Sequence, residues 1–465
     1  MMARAWDAHG LRPDDIVDAG LCVGCGCCVA LSDDPADSMT WDGYGFLRPA
    51  SAKRLPVHNS LFNRTCPFAP SSRSEDELAA VLFPDTRYAD PEIGRFEAAY
   101  VGHVEEADYR ARGSSGGMVS WMAAELLRRR MVDGVAHVVA NPSHDATRVP
   151  FLYAISRSAD EVRAGAGSRY FPVELSEVLS TIRQIPGRYA VVGIPCFIKA
   201  VNLLRAEDNV FAQRIVYTLG LFCGHMKSAR FVESIARQMG VDPAAVAGIE
   251  YRTKAPDRPA NWYRSRLTLS DGSTHEKDWW HLVDGDWGAG FFQNSACNYC
   301  DDVVAETADI AFGDAWIEPY SSDARGTNVI IIRNRGLEQI LRSAAQQGNL
   351  SLQPVEASFI RHTQAAGLRQ RREGLAYRLT WKAPPFELAK RVRAKPLPMS
   401  LRRRLVYRMR YLTARWSHLV FALSRRRGLF AIYLWWARAA LSAYHGLTYS
   451  RGIAGRVFDL ILKDR

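Results

Sequence analysis

Short apolar runs alternate with amphipathic stretches through the middle of the chain. Five runs have the length of buried strands: Val135–Ala140, Tyr189–Ile194, Ile215–Cys223, Asp309–Phe312 and Val329–Ile332. Four stretches with helical spacing accompany them: Val119–Arg130, Phe197–Arg205, Ala229–Met239 and Leu337–Gln347. Strands that alternate with helices predict an α/β fold, mixed with α+β character, whose strands pair at least partly in parallel.

Composition and periodicity divide the chain into four segments. Residues 1–90 are rich in cysteine and show little periodicity, which predicts a small ferredoxin-like module held together by metal. Residues 91–355 carry the α/β pattern. Residues 356–396 are rich in proline and arginine and predict a linker, and residues 397–465 predict a basic amphipathic helical tail.

Charged residues are also distributed unevenly along the chain. The chain has 60 Lys+Arg and 49 Asp+Glu, a net charge of +11. Residues 361–465 hold 24 of the basic and 4 of the acidic side chains, so residues 1–360 hold 36 and 45. An acidic body with a basic tail argues against a nucleic-acid-binding protein, and we expect no nucleic-acid partner.

The interpretation of the cysteines depends on the compartment, which we expect to be reducing. The first twenty residues include Asp14, Asp15 and Asp18 and lack the apolar region of a signal peptide, so we expect a cytoplasmic protein. In that compartment nine cysteines favour metal binding or redox chemistry over disulfides.

The first cysteine group lies in the N-terminal segment. Cys22, Cys25 and Cys28 have the C-x2-C-x2-C spacing of a loop that wraps a [4Fe-4S] cluster, and Cys66 precedes a proline, as the fourth ligand often does. Cys27 is out of register with this pattern. A zinc site with four thiolates is the alternative, but zinc ligands usually come in C-x2-C pairs, so the spacing favours iron–sulfur.

The second cysteine group is dispersed along the α/β segment. Cys196 follows a predicted strand, Cys223 ends another, and Cys297 and Cys300 form a C-x2-C pair. Since strand ends gather at one edge of an α/β sheet, these four could converge on a second metal centre. The alternative is that Cys196 and Cys223 are small buried apolar residues.

A glycine- and serine-rich turn precedes the first helix of the α/β segment. It consists of Gly113, Ser114, Ser115, Gly116 and Gly117. Free backbone N–H groups and the positive end of a helix dipole favour a phosphate or pyrophosphate there. The alternative is a plain tight turn with a serine N-cap.

A second candidate loop follows fifty residues later, made of Gly167, Ser168, Arg169 and Tyr170. Arg169 could clamp a phosphate and Tyr170 could stack on a ring. Either residue could equally belong to an ordinary surface turn.

Taken in order, these pieces resemble the beta subunit of the coenzyme F-420 (deazaflavin) hydrogenases and dehydrogenases. The resemblance runs from about residue 20 to 345 and rests on the N-terminal cysteine motif, Ser114–Gly117, Gly167–Tyr170, Gly193–Cys196, Leu221–Cys223, Cys297–Cys300 and Ala308–Asp314. Asp323–Asn328 and the Ser-Ser-Gly-Gly turn look most like the branch associated with polysaccharide biosynthesis. The chain departs from the family pattern at Ile194, where threonine is usual, and at Phe197, where glutamine is usual.

The resemblance implies two [4Fe-4S] clusters on the eight cysteines and an FAD at the Ser114–Gly117 turn. It implies an iron–sulfur flavoprotein oxidoreductase that passes electrons between a ferredoxin-like donor and an organic acceptor, either a deazaflavin or a sugar or glycan precursor. Two alternatives stay open: a non-catalytic electron-transfer subunit and a zinc-stabilised interaction protein. No acid–base residue is assigned, although His225 and Asp314 lie in suggestive positions.

The basic tail lies outside this resemblance. Its arginine clusters alternate with aromatic residues, which suits a membrane surface and would make the protein peripheral on the inner membrane face. RNA binding and packing against the body or a partner subunit are the alternatives. The apolar run Leu429–Ala437 is too short to span a bilayer.

Overall fold

The computed structural model describes residues 10–32, 34, 36–50, 60–141 and 149–462. Parts of the predicted N-terminal module, residues 1–9 and 51–59, therefore lie outside the described residues. The strands are β1 (Met39–Trp41), β2 (Leu47–Pro49), β3 (Tyr88–Asp90), β4 (Gly94–Phe96), β5 (Ala98–Val104), β6 (Gly134–Ala140), β7 (Phe151–Ser156), β8 (Tyr189–Gly193), β9 (Ile215–Leu221), β10 (Val246–Thr253), β11 (Arg264–Leu269), β12 (Thr274–Asp278), β13 (Ile310–Asp314), β14 (Asn328–Ile332) and β15 (Leu350–Pro354).

The helices fall between these strands and after the last of them. They are α1 (Pro13–Asp18), α2 (Cys27–Ala30), α3 (Ser60–Thr65), α4 (Glu75–Leu82), α5 (Tyr109–Arg112), α6 (Met118–Arg128), α7 (Ala159–Ala164), α8 (Ser176–Gln184), α9 (Pro195–Glu207), α10 (Asn209–Arg214), α11 (Arg230–Gln238), α12 (Arg335–Gln346), α13 (Ala357–Thr363), α14 (Ala365–Arg371), α15 (Glu373–Leu379), α16 (Leu401–Arg427), α17 (Phe430–Tyr449) and α18 (Gly452–Ile461).

An eight-stranded mixed sheet in the order β15-β5-β14-β13-β9-β8-β6-β7 forms the centre of the molecule. Strands β6, β8, β9 and β13 are parallel. Strand β14 is antiparallel to both β13 and β5, so β5 points the same way as the parallel set. The carboxyl ends of five strands therefore share one edge, which we call the carboxyl edge. The predicted mixed α/β class is confirmed.

Alternating side chains of the sheet supply two cores. On one face, Ala190 and Val192 pack in a cluster with Trp121 of α6 and Leu341 of α12. On the other face, Val191 packs with residues of α8 and α9. Because β-strand side chains point alternately to opposite faces, a central strand buried on both sides is apolar throughout. That is why the short apolar runs marked these strands in the sequence.

The N-terminal segment shares the second of these cores. Ile16, Leu21 and Phe62 belong to the same cluster as Leu179 and Phe197 of α8 and α9. The segment therefore packs directly against the sheet domain. Its ferredoxin-like character stays a prediction.

A buried ion cluster strengthens this attachment. Glu75, at the start of α4, contacts Lys199 of α9 at 3.2 Å and Lys390 at 2.5 Å. Burial would raise the pKa of Glu75, but the charges of Lys199 and Lys390 outweigh it and hold the pKa at about 2.

The stretch predicted as a linker, residues 356–396, is folded onto the body instead. Residues 357–379 form α13, α14 and α15, and they bury the side chains of Arg371 and Arg378. Further along, Lys390 lies in the ion cluster around Glu75. Proline and arginine content misled the prediction, because these arginines donate to backbone carbonyls of the core rather than facing water.

The C-terminal segment is helical, as its pattern predicts. Helices α16 and α17 form an antiparallel hairpin around Gly428, which has φ +65. Phe421 and Tyr433 pack in one cluster with Phe231 and Phe292 of the body. The Tyr433 hydroxyl donates to Asp284 Oδ2 at 2.8 Å. Among the described residues, no helix is both long and apolar enough to cross a membrane.

This packing predicts opposite outcomes for two neighbouring aromatic residues. Tyr433→Ala should lower the free energy of unfolding by about 3 kcal/mol, because the ring is fully buried. Trp435→Ala should change it by less than about 0.5 kcal/mol, because that side chain is 74 % exposed. Chemical denaturation of the two variants measures both values. Equal effects would contradict the packing of α17 on the body.

Candidate metal and cofactor site

The first cysteine group surrounds a cavity of about 450 Å³, a volume that includes space open to solvent. Cys22, Cys25, Cys28 and Cys66 line it together with Cys27. The loop before α2 supplies two of these thiols, α2 supplies two, and the residue after α3 supplies Cys66. The structure thus brings together the four predicted ligands, although Cys66 is distant in sequence from the other three.

Two glycines allow the loop to curl this tightly. Gly24 and Gly26 have φ values of +70 and +79, which side-chain-bearing residues rarely adopt. A Cβ on Gly24 would lie 2.6 Å from the Leu47 carbonyl oxygen, and one on Gly26 would collide with the Glu174 carboxylate. The sequence needs glycine at both positions for steric as well as conformational reasons.

The thiols of this cavity differ in their electrostatic surroundings. A hydrogen bond from Cys27 lowers the pKa of Cys25, whereas burial raises the pKa of Cys22, Cys28 and Cys66. A buried thiolate is costly unless a cation lies beside it, so this set of donors fits a metal group. Cys27, the residue out of register, supports Cys25 through that hydrogen bond.

The second cysteine group surrounds a separate cavity of about 260 Å³. Cys196 lies at the start of α9, Cys223 just beyond β9, and Cys297 and Cys300 in the turn at residues 295–300. Strands β8 and β9 end at the carboxyl edge, as the sequence predicts. Burial raises the pKa of Cys297 to about 11, even though Arg371 opposes the shift.

Arg371 of α14 is the charged counterpart of this second cavity. Its guanidinium donates to the carbonyls of Cys297 at 3.1 Å, Cys300 at 3.2 Å and Gly224 at 2.5 Å. Burial alone would lower the pKa of Arg371, but the thiolates of Cys300, Cys297, Cys223 and Cys196 outweigh it and raise the pKa. One buried cation therefore ties together the segments that carry three of the four thiols.

The two cavities lie side by side. Val23 and Phe68 line both of them. The charge of Cys25, in the first cavity, contributes to the raised pKa of Cys196 in the second, after burial and the thiolates of its own cavity. The two groups of thiols therefore line cavities that share apolar wall residues.

The thiols of the two cavities do not form a ready-made metal-ion site. Among the described residues, no group of three or more His, Cys, Asp or Glu side chains is placed to hold a metal ion. In a cubane each thiolate binds a different iron, so the four sulfur atoms surround a void instead of one point. The cavities offer such voids, and the eight metal-ligand assignments stay predictions.

The glycine turn lies at the carboxyl edge too, between β5 and α6. Ser114 Oγ accepts a hydrogen bond from the Ser168 backbone N–H at 2.8 Å, so the two predicted cofactor loops are in contact. A Cβ on Gly116 would lie 2.9 Å from the Asn328 backbone nitrogen. No acceptor in the described chain takes the backbone N–H groups of Ser115, Gly116 and Gly117.

Cations surround the same turn. Lys254 Nζ donates to the Ser115 carbonyl at 2.8 Å, and it also donates to the Arg110 carbonyl. Burial, followed by the charges of Arg110 and Arg252, lowers the pKa of Lys254 to about 7. Free N–H groups beside crowded cations favour a bound anion at this turn.

The second loop is more enclosed than its sequence indicates. The Arg169 guanidinium lies 4.9 Å from the centre of the Phe151 ring, and its buried Nε has no partner within the described chain. Tyr170 packs edge-on against Trp287, Trp279 and Tyr251. Cofactor binding by Gly167–Tyr170 stays a prediction.

The two unassigned polar residues have different partners. His225 packs edge-on against Trp287 with ring centres 4.4 Å apart, and burial, followed by nearby cations, holds its pKa well below its usual range. Asp314 accepts a hydrogen bond from Arg252 at 2.9 Å. Neither contact identifies an acid or a base.

Sequence reasoning missed Arg371 and Lys254. Arg371 is one arginine among many in a stretch without periodicity, and no spacing distinguishes it. Lys254 ends beside the glycine turn only because the three-stranded sheet β10–β11–β12 folds back towards it. No motif in the sequence could have identified either residue.

The fold and site define a mixed α/β protein with two cysteine-lined cavities and a glycine turn at one sheet edge. Residues 99–180 match the N-terminal model of the coenzyme F420 hydrogenase/dehydrogenase beta subunit. Residues 187–358 match the model of its C terminus. Together the models cover more than half of the chain, which therefore belongs to this family, as the motifs indicated.

Curated relatives have low sequence identity but long matches. An uncharacterized protein of Methanocaldococcus jannaschii is 23% identical over 375 residues, covering 74% of this chain and 93% of that protein. The coenzyme F420-dependent sulfite reductase of the same organism is 22% identical over 74% of this chain, which spans 49% of that enzyme. The coenzyme F420 hydrogenase subunit beta of Methanothermobacter thermautotrophicus is 21% identical, over 57% of this chain and 86% of that subunit.

The two cavities predict different effects of two cysteine substitutions on iron content. Cys297→Ser should lower the iron content of anaerobically purified protein by about half, because one of two equal centres loses a ligand. Cys27→Ser should leave iron content unchanged, because Cys27 is a hydrogen-bond donor to Cys25 and not a predicted ligand. Iron analysis per chain gives both results. Unchanged iron in Cys297→Ser would remove the second centre.

The position of Arg371 predicts a change in redox potential. Arg371→Met should lower the midpoint potential of the second centre, since a positive charge favours the reduced form, and Arg371→Lys should restore most of the difference. Arg378→Met is the matched control: Arg378 is also buried, but it donates to the Asn298 carbonyl at 2.6 Å. Redox titration followed by electron paramagnetic resonance measures the potentials. Equal shifts in the two methionine variants would contradict a specific effect of Arg371.

Proposed function

We propose that the chain is an iron–sulfur flavoprotein oxidoreductase that passes electrons between a ferredoxin-like donor and an organic acceptor. One observation carries the proposal: two cysteine-lined cavities share Val23 and Phe68, and the second lies at the same sheet edge as the glycine turn. Such an arrangement suits electron transfer from the N-terminal segment to a cofactor at the carboxyl edge.

The lining of the two cavities and the free N–H groups of the glycine turn support an assignment of residues to the cofactors. Cys22, Cys25, Cys28 and Cys66 would bind one [4Fe-4S] cluster, and Cys196, Cys223, Cys297 and Cys300 a second. The free N–H groups of Ser115, Gly116 and Gly117 would bind a phosphate of FAD. Bound clusters supply single electrons, and a flavin exchanges both single electrons and hydride.

The protein's own side chains do three things in this scheme. Arg371 neutralises part of the thiolate charge in the second cavity and holds its segments together. Val23 and Phe68 keep the space between the cavities apolar. Lys254 fixes the carbonyl of Ser115 and adds positive charge beside the turn.

The names of the relatives point to the acceptor to test first. Two of them are named for coenzyme F420, a deazaflavin, so we propose a deazaflavin as acceptor. A sugar or glycan precursor is the second acceptor class, proposed on the resemblance of Asp323–Asn328 and of the Ser-Ser-Gly-Gly turn. A third relative, the 7-hydroxymethyl chlorophyll a reductase of rice, is named for yet another organic substrate, so the family name does not fix the acceptor.

Anaerobic purification followed by cofactor analysis tests the proposal. We expect brown protein that contains iron, acid-labile sulfide and flavin and that reduces a deazaflavin with a reduced ferredoxin as donor. Iron without flavin would instead support the non-catalytic electron-transfer subunit. Zinc without iron would refute both and support a zinc-stabilised interaction protein.

The flavin site has a sharper test in Ser114. Ser114→Asp should lower flavin content at least about tenfold while iron stays unchanged, because a carboxylate repels the phosphate group. Ser114→Asn is the control, since its side-chain oxygen also accepts the Ser168 N–H but carries no charge. Released flavin is measured by fluorescence after denaturation. Normal flavin in Ser114→Asp would contradict phosphate binding at this turn.

A further inference from the structure

Helix α16 has two unlike sides. One side packs on the body through Tyr407, Ala414, Ser417, Phe421 and Ser424. The opposite side exposes four apolar residues at helical spacing, with exposed fractions of 36–50 %: Leu412, Trp416, Leu419 and Leu423. Positions i, i+4, i+7 and i+11 form one stripe along a helix, so this apolar stripe points away from the body.

The next two helices expose apolar residues as well. They are Leu429, Ile432 and Trp435 around α17, and Ile453, Val457, Leu460 and Ile461 on α18. We call these residues, with the stripe on α16, the outward face. Exposed apolar residues on three successive helices favour an interaction site.

The charge of this region is predominantly positive, because between Leu388 and Leu462 the sequence has one acidic residue, Asp459. From Leu388 to Phe458 the sequence contains no Asp or Glu. Some arginines of these helices are paired with acidic side chains, as Arg402 is with Asp459 and Arg425 with Glu233. Eight further arginines are exposed and have no ion-pair partner in the described part of the chain: Arg404, Arg408, Arg415, Arg426, Arg427, Arg438, Arg451 and Arg456.

We propose that the outward face binds the surface of a bilayer that contains anionic lipid. Aliphatic side chains and the rings of Trp416 and Trp435 would enter the interface, and the unpaired arginines would contact anionic headgroups. This location is independent of the redox function, because the family models end at residue 358, before these helices begin.

The same observations disfavour other partners. The body already covers the opposite side of α16 and α17, so packing on the body does not account for the outward face. A second copy would bring its own unpaired arginines against these, and like charges repel. Nucleic acid would satisfy the arginines and tryptophans but has no use for exposed leucine and isoleucine.

Vesicle flotation with the full-length protein tests the proposal. We expect binding to vesicles of phosphatidylcholine and phosphatidylglycerol, no binding to phosphatidylcholine alone, and weaker binding as salt rises. Arg415→Gln, Arg426→Gln and Arg427→Gln combined should lower partitioning about a hundredfold, since each arginine contributes about fivefold at an anionic surface. Trp435→Ser should also weaken binding.

Matched controls test whether vesicle binding depends on the outward face or on exposed arginine and tryptophan residues in general. Trp280→Ser removes a body tryptophan that is 62 % exposed, and it should leave binding unchanged. The combination of Arg73→Gln, Arg130→Gln and Arg369→Gln removes three exposed body arginines and should do the same. Iron content and circular dichroism show that each variant is folded.

Three results would overturn the proposal. The first is a wild-type protein that ignores anionic vesicles, or binds neutral ones equally well. The second is a triple arginine variant of α16 that binds like wild type. The third is loss of vesicle binding together with salt-sensitive RNA binding or a stable dimer that depends on Trp435, which would assign the face to RNA or to a second copy.

Discussion

A thiolate buried away from water is stable only beside positive charge, and this constraint underlies the architecture of the whole site. Nine thiols line two adjoining cavities, five in the first and four in the second, at the junction of the N-terminal segment and the sheet. Arg371 supplies the positive charge that the protein itself contributes to the second cavity. In the function that we propose, bound metal supplies the remaining positive charge.

The sheet determines where the thiols lie relative to the glycine turn. Parallel strands bring Cys196 and Cys223 to the same edge as the glycine turn, because their carboxyl ends all point one way. The N-terminal segment then packs on the sheet so that Val23 and Phe68 touch both cavities. Packing of one apolar core thereby fixes the distance between two groups of thiols.

Sequence pattern predicted the buried parts of the fold and missed the exposed ones. The apolar runs located β6, β8, β9, β13 and β14 because central strands are apolar on both faces. Edge strand β15 and the sheet β10–β11–β12 mix polar and apolar residues, so no continuous run marked them. Edge strand β7 is apolar over five residues, and the expected strands did not include it. All four members of each predicted cysteine set line one cavity, and their role as metal ligands stays a prediction.

The sequence pattern could not predict contacts between residues that are distant in the chain. Arg371 and Lys254 act through backbone carbonyls distant in sequence, and a carbonyl has no sequence signature. Lys390 likewise finds Glu75 across more than three hundred residues. The arginine-rich stretch therefore looked like a linker, although its charges are satisfied inside the core.

The central claim is that two metal centres lie close together across Val23 and Phe68. Low-temperature electron paramagnetic resonance of the fully reduced, anaerobically prepared protein tests it most directly. We predict two paramagnetic clusters whose signals are broadened by mutual interaction, and loss of that broadening in Cys297→Ser. A single signal, or two signals that add without interaction, would contradict the account.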